Sequence, residues 1–314
     1  MPASFNVGGL PVAVYGLDSL SPVKPDQPTR DVAVAFLLHG RGQRSDDALM
    51  VRFAERLVAY SVQQRDKEGG APSAAKDLVV VTFDQRNHGH RLVAKDRQLG
   101  WVEGTKRRAK ERQEQGLEPH ELDNPSHAAD MMAMQTGTAR DVSFLVDFLP
   151  AAVFPNDERN VVDWYCAGIS LGGHATWLAL AHDPRISLGV PIIGSPSTHT
   201  LLTHRASNLP PPAGPLPLSP PHFPRSLVRL FEREDPANVP LARWTGRKVL
   251  VLSGEDDALV NFVHGGSEEF VRRLRDDAEG VTVEAWVQPK TCVSSLLPVS
   301  FPPQVGSHTL SSTF

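Results

Sequence analysis

The sequence predicts an α/β protein built on a mostly parallel sheet with helices on its faces. The first observation is that strand-like runs alternate with segments whose apolar residues recur at helical spacing. The second is that Val32–Leu38 and Leu78–Phe83 are apolar almost throughout, as expected of parallel strands buried on both faces. Such alternation favours parallel pairing through right-handed crossovers.

The predicted elements follow one another along the chain. Residues 5–17 form one or two edge strands that turn at Gly8-Gly9. Further strands are predicted from β-branched and aromatic residues over 32–38, 78–83, 161–167, 187–193, 247–253 and 281–287. Helices are predicted from apolar spacing over 48–64, 128–148, 175–182 and 226–234. The charged, irregular segment 100–125 is expected to be an insertion.

Composition and charge indicate one enzyme-sized globular domain, which we place at residues 1–289. Hydrophobic residues make up 40% of the 314 and charged residues 22%, which is enough apolar material for a buried core. The net charge of −4 gives no reason to expect a nucleic-acid partner. The basic run at 106–112 is interleaved with glutamates, which favours a solvated loop over a nucleic-acid surface.

The small number of cysteines and the absence of recognisable targeting signals favour a cytoplasmic protein. The two cysteines, Cys166 and Cys292, suggest no disulfide framework. The N-terminal residues contain no basic stretch followed by a long apolar segment, so no signal peptide is expected. No run of the sequence approaches the roughly 20 apolar residues that a membrane span needs.

The most informative stretch is Gly168-x-Ser170-x-Gly172, which separates the strand 161–167 from a helix-like segment. This is the pattern of a nucleophile elbow, in which a serine on a sharp strand-to-helix turn exposes its hydroxyl above the sheet. The glycines remove side chains that would clash in so tight a turn. The backbone N–H of Leu171 is then placed to stabilise an oxyanion. The alternative is a tight turn with a capping serine.

A second turn strengthens this interpretation. His39-Gly-Arg-Gly42 follows the strand 32–38, and with its elements in this order the chain resembles the α/β-hydrolase superfamily. The resemblance implies that the backbone N–H of Arg41 is the second oxyanion donor, and that His39 braces the loop. Within the superfamily, the segments 84–89 and 195–245 are similar to dienelactone-hydrolase-like and prolyl-oligopeptidase-like esterases.

The loop Asp84-x-Arg-x-His-Gly89 also resembles a conserved turn of that superfamily. In such a turn the aspartate and the arginine fix the loop by hydrogen bonds and a charge pair. His88 and His90 are not expected to be catalytic, because both precede Ser170. The fold places its triad in the chain order serine, acid, histidine.

The catalytic acid is predicted after the strand 247–253. The sequence Gly254-x-x-Asp257-x-x-Val260 matches the superfamily pattern for the acid loop and selects Asp257, with Asp256 as second choice. A buried carboxylate here would hold an imidazole in one tautomer and stabilise its charged form. The alternative is that the acidic cluster caps the next helix.

The catalytic histidine is harder to place. Only His264 and His308 follow Asp257, and His264 falls in the segment expected to form the helix before the last strand. His308 is therefore the candidate base by chain order. It lies in an atypical tail, residues 290–314, that is rich in serine and proline and takes the place of the expected final helix. One interpretation is that this tail is not the native C-terminus; the other is that it folds back to supply the base.

Residues 195–245 are expected to form a lid or cap insertion. Their most biased part, 209–224, has a proline density that excludes a helix or a central strand. As a lid it would turn Leu216, Leu218 and Phe223 towards an apolar substrate group. The alternative is a flexible connector.

The function that follows is a serine hydrolase that cleaves a carboxylic ester or thioester of a small molecule through an acyl-enzyme. The expected residues are Ser170, Asp257 and His308, with Leu171 and Arg41 as oxyanion donors. No metal or cofactor is expected. The alternative is a catalytically impaired hydrolase-fold protein that binds small molecules. The sequence leaves the oligomeric state open.

Overall fold

The strands form one mixed sheet. The structure, a computed structural model, describes residues 1–23, 30–67, 76–102, 114, 122–209 and 213–292. Within them the strands are β1 (Ala3–Val7), β2 (Leu10–Tyr15), β3 (Val32–Leu38), β4 (Asp77–Thr82), β5 (Val161–Ile169), β6 (Ile186–Ile192), β7 (Lys248–Gly254) and β8 (Thr282–Gln288). Their spatial order is β1-β2-β4-β3-β5-β6-β7-β8. Only β1 and β2 pair antiparallel to their neighbours; all other pairs are parallel.

Helices lie on both faces of this sheet. They are α1 (Ala48–Lys67), α2 (His127–Val153), α3 (Leu171–His182), α4 (Thr198–Ser207), α5 (Arg225–Glu234) and α6 (Ser267–Asp277). Helix α1 covers β4 and its neighbours on one face, whereas α2, α3 and α6 share the main core on the other. Among the described helices, none combines the length and apolar character needed to cross a membrane.

The predicted strands are confirmed to within two residues at each end. Helix α5 also agrees to within one residue, whereas α1, α2 and α3 begin or end three to five residues from their predicted limits. Helix α2 continues through Pro150 to Val153, because a proline in the last turn of a helix removes only one backbone donor. Helix α3 begins at Leu171 rather than at residue 175, so its first turn is the glycine-rich stretch after Ser170. The basic run 106–112 lies outside the described residues.

The main core is filled by aromatic side chains between the sheet and its helices. Trp177 of α3 contacts Trp244 and Phe270, with ring centroids 5.9 and 5.6 Å away. Every residue of α3 from Leu171 to Ala181 is buried. A helix that is buried all round has no freedom to shift, so the segment that begins directly after Ser170 is fixed along its whole length.

The carboxyl ends of the parallel strands meet at one edge of the sheet. Two backbone hydrogen bonds connect them: the Ser170 N–H donates to Ile192 O at 2.8 Å, and the Ile193 N–H donates to Leu252 O at 2.7 Å. The ends of β5, β6 and β7 are thereby aligned. Because β6 lies between β5 and β7, the residues that follow these two strands are two strand spacings apart, which is about 10 Å.

Candidate active site

Ser170 is the single residue between β5 and α3. Its backbone adopts φ 54° and ψ −108°, and such a conformation costs a non-glycine residue about 1–3 kcal/mol. The turn is held from two sides, since the Ser170 N–H donates to Ile192 O and the Gly172 N–H donates to His39 O at 3.1 Å. The ends of β6 and β3 therefore hold the serine in its strained conformation, where it is partly exposed.

The glycines on either side of Ser170 are required by close backbone approach. A Cβ atom on Gly168 would lie 2.3 Å from Gly172 O, and one on Gly172 would lie 2.4 Å from Leu38 O. Both separations are far below van der Waals contact. Any larger residue at either position would push the start of α3 away from the sheet and move the serine with it.

The two segments predicted to carry oxyanion donors lie side by side. Leu171 is the first residue of α3, so its N–H has no acceptor within the helix. The loop after β3 packs against the same turn, because a Cβ atom on Gly40 would lie 3.6 Å from Ile169 O. Arg41 is the next residue in that loop, and its guanidinium donates to Gln98 O at 2.6 Å. The Arg41 side chain thus anchors the loop beside the serine.

His39 is completely buried and connects this loop to the one after β4. Its Nε2 accepts the Gln85 N–H at 3.1 Å, so the proton is on Nδ1, which faces Gly40 O at 2.8 Å. The Gln85 side-chain amide in turn donates to His39 O. Burial lowers the pKa of His39 to about 4. The imidazole is therefore neutral at physiological pH and acts as a structural link.

Asp84 organises the loop after β4. Its carboxylate accepts hydrogen bonds from the Ser45 N–H at 2.8 Å, the Ser45 hydroxyl at 2.9 Å and the His90 N–H at 2.7 Å. Burial raises the pKa of Asp84, but these hydrogen bonds outweigh burial and lower it below its usual value. The ion pair of Arg86 is made with Asp141 of α2, at 3.0 Å, rather than with Asp84. Both sides of the loop are therefore fixed to neighbouring elements.

The two candidate acids differ in their surroundings. Asp257 is 1% exposed, and one carboxylate oxygen accepts the N–H groups of Leu259 and Val260 at 3.0 and 2.7 Å. Asp256 is exposed to solvent. A buried carboxylate held by backbone donors has one fixed position, which is what orienting an imidazole requires. The geometry therefore favours Asp257.

The histidines that follow the acid are placed differently. The exposed ring of His264 stacks on His204 of α4, with centroids 4.6 Å apart. Its backbone N–H donates to Asn261 at 2.8 Å. His308 lies outside the described residues. The structure thus brings Ser170 and Asp257 to one edge of the sheet, and the identity of the third residue stays a prediction.

Known structures share this arrangement of strands and helices, although no family model and no curated protein matches the sequence. TT1662 from Thermus thermophilus is 16% identical with a TM-score of 0.55, over 93% of this chain and 90% of that one. An acylaminoacyl peptidase from Pyrococcus horikoshii is 13% identical with a TM-score of 0.52, over 95% of this chain but 38% of that one. The chain has the α/β-hydrolase fold. Est1E from Butyrivibrio proteoclasticus, solved with ferulic acid, is 15% identical with a TM-score of 0.48, over 92% and 90%.

His174 is a buried residue near Ser170 whose contacts sequence reasoning missed. It lies one helical turn after Ser170, and its Nδ1 accepts the Ser195 N–H at 2.9 Å. Burial lowers the pKa of His174 to about 4, although the nearby Asp257 carboxylate opposes the shift. A neutral imidazole therefore ties the helix that carries the serine to the segment after β6. No local pattern signals this contact, because Ser195 is distant in sequence.

Asp235 fixes the helix that faces the site. It is completely buried and accepts the N–H groups of Thr198 and His199 at 3.1 and 2.9 Å, and the Ser197 hydroxyl at 3.0 Å. These are the donors at the start of α4. Burial raises the pKa of Asp235 to about 6 despite the hydrogen bonds. Nothing in the local sequence around Asp235 indicates that its carboxylate accepts the N–H groups of α4.

An apolar cluster begins directly beside the serine. The side chain of Leu171 packs in it with Trp101, with residues of α2 and with residues of the segment 195–245, which includes α4 and α5. Among them are Met131, Met132, Leu202, Leu216, Phe223 and Phe231. Two of the three side chains predicted to line a substrate site, Leu216 and Phe223, are buried here. Leu218 is 51% exposed and lies outside this cluster, so its predicted contact with a substrate stays a prediction.

The neutral buried histidines make stability depend on pH. Because the pKa of His39 is about 4 in the folded chain and 6.5 in the unfolded chain, the unfolded state binds the extra proton first as pH falls. We expect His39 to contribute about 3 kcal/mol to the free energy of unfolding above pH 6.5, and this contribution should be lost progressively as the pH falls towards 4. Urea denaturation at several pH values should show this loss. In His39→Gln, the free energy of unfolding should depend less on pH. An unchanged pH slope in the variant would refute the assignment.

Proposed function

We propose that the chain is a serine hydrolase that cleaves a carboxylic ester or thioester of a small molecule. The observation that carries the proposal is the backbone of Ser170, which is held in a left-handed conformation between β5 and α3. Strained residues are maintained where the surrounding structure enforces them, and they concentrate at active sites. A capping serine needs no such conformation, because N-cap residues normally have extended backbones.

The proposed reaction passes through an acyl-enzyme. The Ser170 hydroxyl attacks the substrate carbonyl while His308 takes its proton, and Asp257 orients and stabilises the imidazolium. The proton then passes to the leaving alcohol or thiol as the carbonyl re-forms. Water repeats the sequence on the acyl-serine and releases the acid. The N–H groups of Leu171 and Arg41 hold the oxyanion, each contributing about 3 kcal/mol to the transition state.

The substrate class is supported by the apolar cluster beside the serine. Leu171, the residue after Ser170, packs with Trp101 and Phe223 in this buried cluster, so the serine adjoins an apolar part of the core. We infer that residues 195–245 act as a cap that supplies one side of the acyl site, because Leu216 and Phe223 of this segment reach the cluster. Esters with an apolar acyl group fit these surroundings better than charged ones.

A second candidate is a hydrolase-fold protein that binds a small molecule and turns it over poorly. One observation favours it: within the described residues, no histidine is hydrogen-bonded to the Ser170 hydroxyl, and His174, one helical turn away, bonds to Ser195 instead. Such a chain would keep the elbow and the apolar cluster and lose orders of magnitude in rate.

Labelling with a fluorophosphonate probe separates the two candidates. An activated serine should label rapidly, and Ser170→Ala should reduce labelling to background, because the probe reacts with the nucleophile itself. Thr203→Ala, which removes a hydroxyl from α4, serves as the control and should label like the native chain. A folded native chain that fails to label would contradict the hydrolase proposal and favour the binding protein.

The same assay identifies the base. We expect His308→Ala to reduce the labelling rate by about 10³-fold or more, whereas His264→Ala leaves it within about twofold. The ring of His264 is held against His204 and has no role in the proposed reaction. The reverse ranking would reject His308 and assign the base to His264.

The acid is tested by a neighbouring pair of substitutions. Asp257→Asn should lower ester hydrolysis by about 10²–10⁴-fold, because the amide keeps the shape of the carboxylate but cannot stabilise the imidazolium. Asp256→Asn makes the same chemical change one residue earlier, on an exposed side chain, and should stay within about twofold. Initial rates with a chromogenic ester measure both. Equal losses would show that neither residue is the specific acid.

A further inference from the structure

Part of the sheet surface is apolar and only partly covered. On the face that α1 occupies over β4 and β3, the outward side chains of β6 to β8 include six apolar ones that we call the open face: Leu188, Val190, Ile192, Leu250, Leu252 and Trp286. The charged side chains of Lys248 and Glu284 lie beside them on the same face. The strand register aligns Ile192 with Leu252, and Leu252 with Trp286. Each of the six is partly exposed, and Trp286 is 50% exposed.

The opposite face of the same strands packs against the main core. Val249, Val251 and Val283 alternate with the open-face residues and are buried in the main core with α3 and α6. Parallel strands normally have both faces covered. A contiguous group of large apolar side chains left partly in water marks a surface that binds something.

The chain itself leads onto this surface. After β8 it turns back, so that Gln288 O accepts the Glu255 N–H at 3.0 Å and Thr291 O accepts the Asp256 N–H at 3.1 Å. Gly254 has the same orientation in β7 as Leu252 and Leu250, and a Cβ atom on it would lie 2.2 Å from Thr291 O. Thr291 therefore lies on the open-face side of the sheet. The last described residues therefore lie at the border of the open face.

We propose that residues 293–314 bind to the open face of their own sheet. This segment has no charged residue and carries large apolar side chains at Val293, Leu296, Leu297, Val299, Phe301, Val305, Leu310 and Phe314. The open face is about 10 Å wide, two strand spacings, and 22 residues can extend over about 70 Å, so the length suffices. Attachment at Cys292 gives the segment a local concentration of about millimolar, well above that of a second copy in dilute solution.

Trp286 reports on this contact. The other tryptophans, Trp101, Trp164, Trp177 and Trp244, are at most 8% exposed, so a quencher in water should reach Trp286 before them. The fluorescence of Trp286 is obtained by subtracting the emission of the Trp286→Phe variant from the emission of the native chain. The segment contains His308, the proposed base, but none of the substituted residues belongs to the proposed catalytic site, so the docking is tested apart from hydrolase activity.

The experiment is acrylamide quenching of the full chain at low concentration. We expect weak quenching of Trp286 in the native chain and a severalfold stronger quenching in Leu297→Asp/Phe301→Asp, which makes the segment unfavourable to bury. Ser295→Asp/Ser300→Asp adds the same charge at polar positions and should quench like the native chain. Sedimentation should show a monomer throughout.

Three results would overturn the proposal. In the first, acrylamide quenches Trp286 as strongly in the native chain as in Leu297→Asp/Phe301→Asp, which would show that the open face is exposed to water. Shielding that disappears on dilution, together with a dimer in sedimentation, would make a second copy the occupant. Should the charged variant fail to fold, amide exchange in the native chain decides: slow exchange across 293–314 supports docking, and exchange at the rate of a free peptide rejects it.

Discussion

The left-handed backbone of Ser170 is the constraint on which the rest of the site depends. Ser170 alone connects the end of β5 to the start of α3. This connection is possible only because two glycines allow the first turn of α3 to lie against the backbones of β3 and β5. Hydrogen bonds to Ile192 O and His39 O hold that turn from both sides. Because α3 is buried along its length, the strain is opposed by packing across the core.

Neutral and hydrogen-bonded polar groups then fix the loops around the serine. His39 joins the loops after β3 and β4, His174 joins α3 to the segment after β6, and Asp257 is held by its own loop. Burial keeps both imidazoles uncharged. Buried polar groups with satisfied hydrogen bonds rigidify their surroundings, so these contacts favour a preorganised site over one formed on binding.

The fold and the strand-to-helix turn at Ser170 could be predicted from local patterns. Continuous apolar runs located the strands, and the glycine spacing located Ser170, because both depend on residues close in sequence. The partner of Arg86, the contact between His174 and Ser195 and the role of Asp235 depend on elements that meet only after folding. The same holds for the open face. In the sequence its residues look like ordinary buried strands, and only the placement of the helices shows that one face is left partly exposed.

The central claim is that Ser170 forms a covalent intermediate. Its most direct test is mass spectrometry of the native chain after brief reaction with p-nitrophenyl acetate, followed by peptide mapping. The account predicts one acetyl group per chain, on the peptide that contains Ser170, together with a burst of p-nitrophenol of about one equivalent. Ester hydrolysis without an adduct on Ser170, or with the acetyl group on another residue, would contradict it.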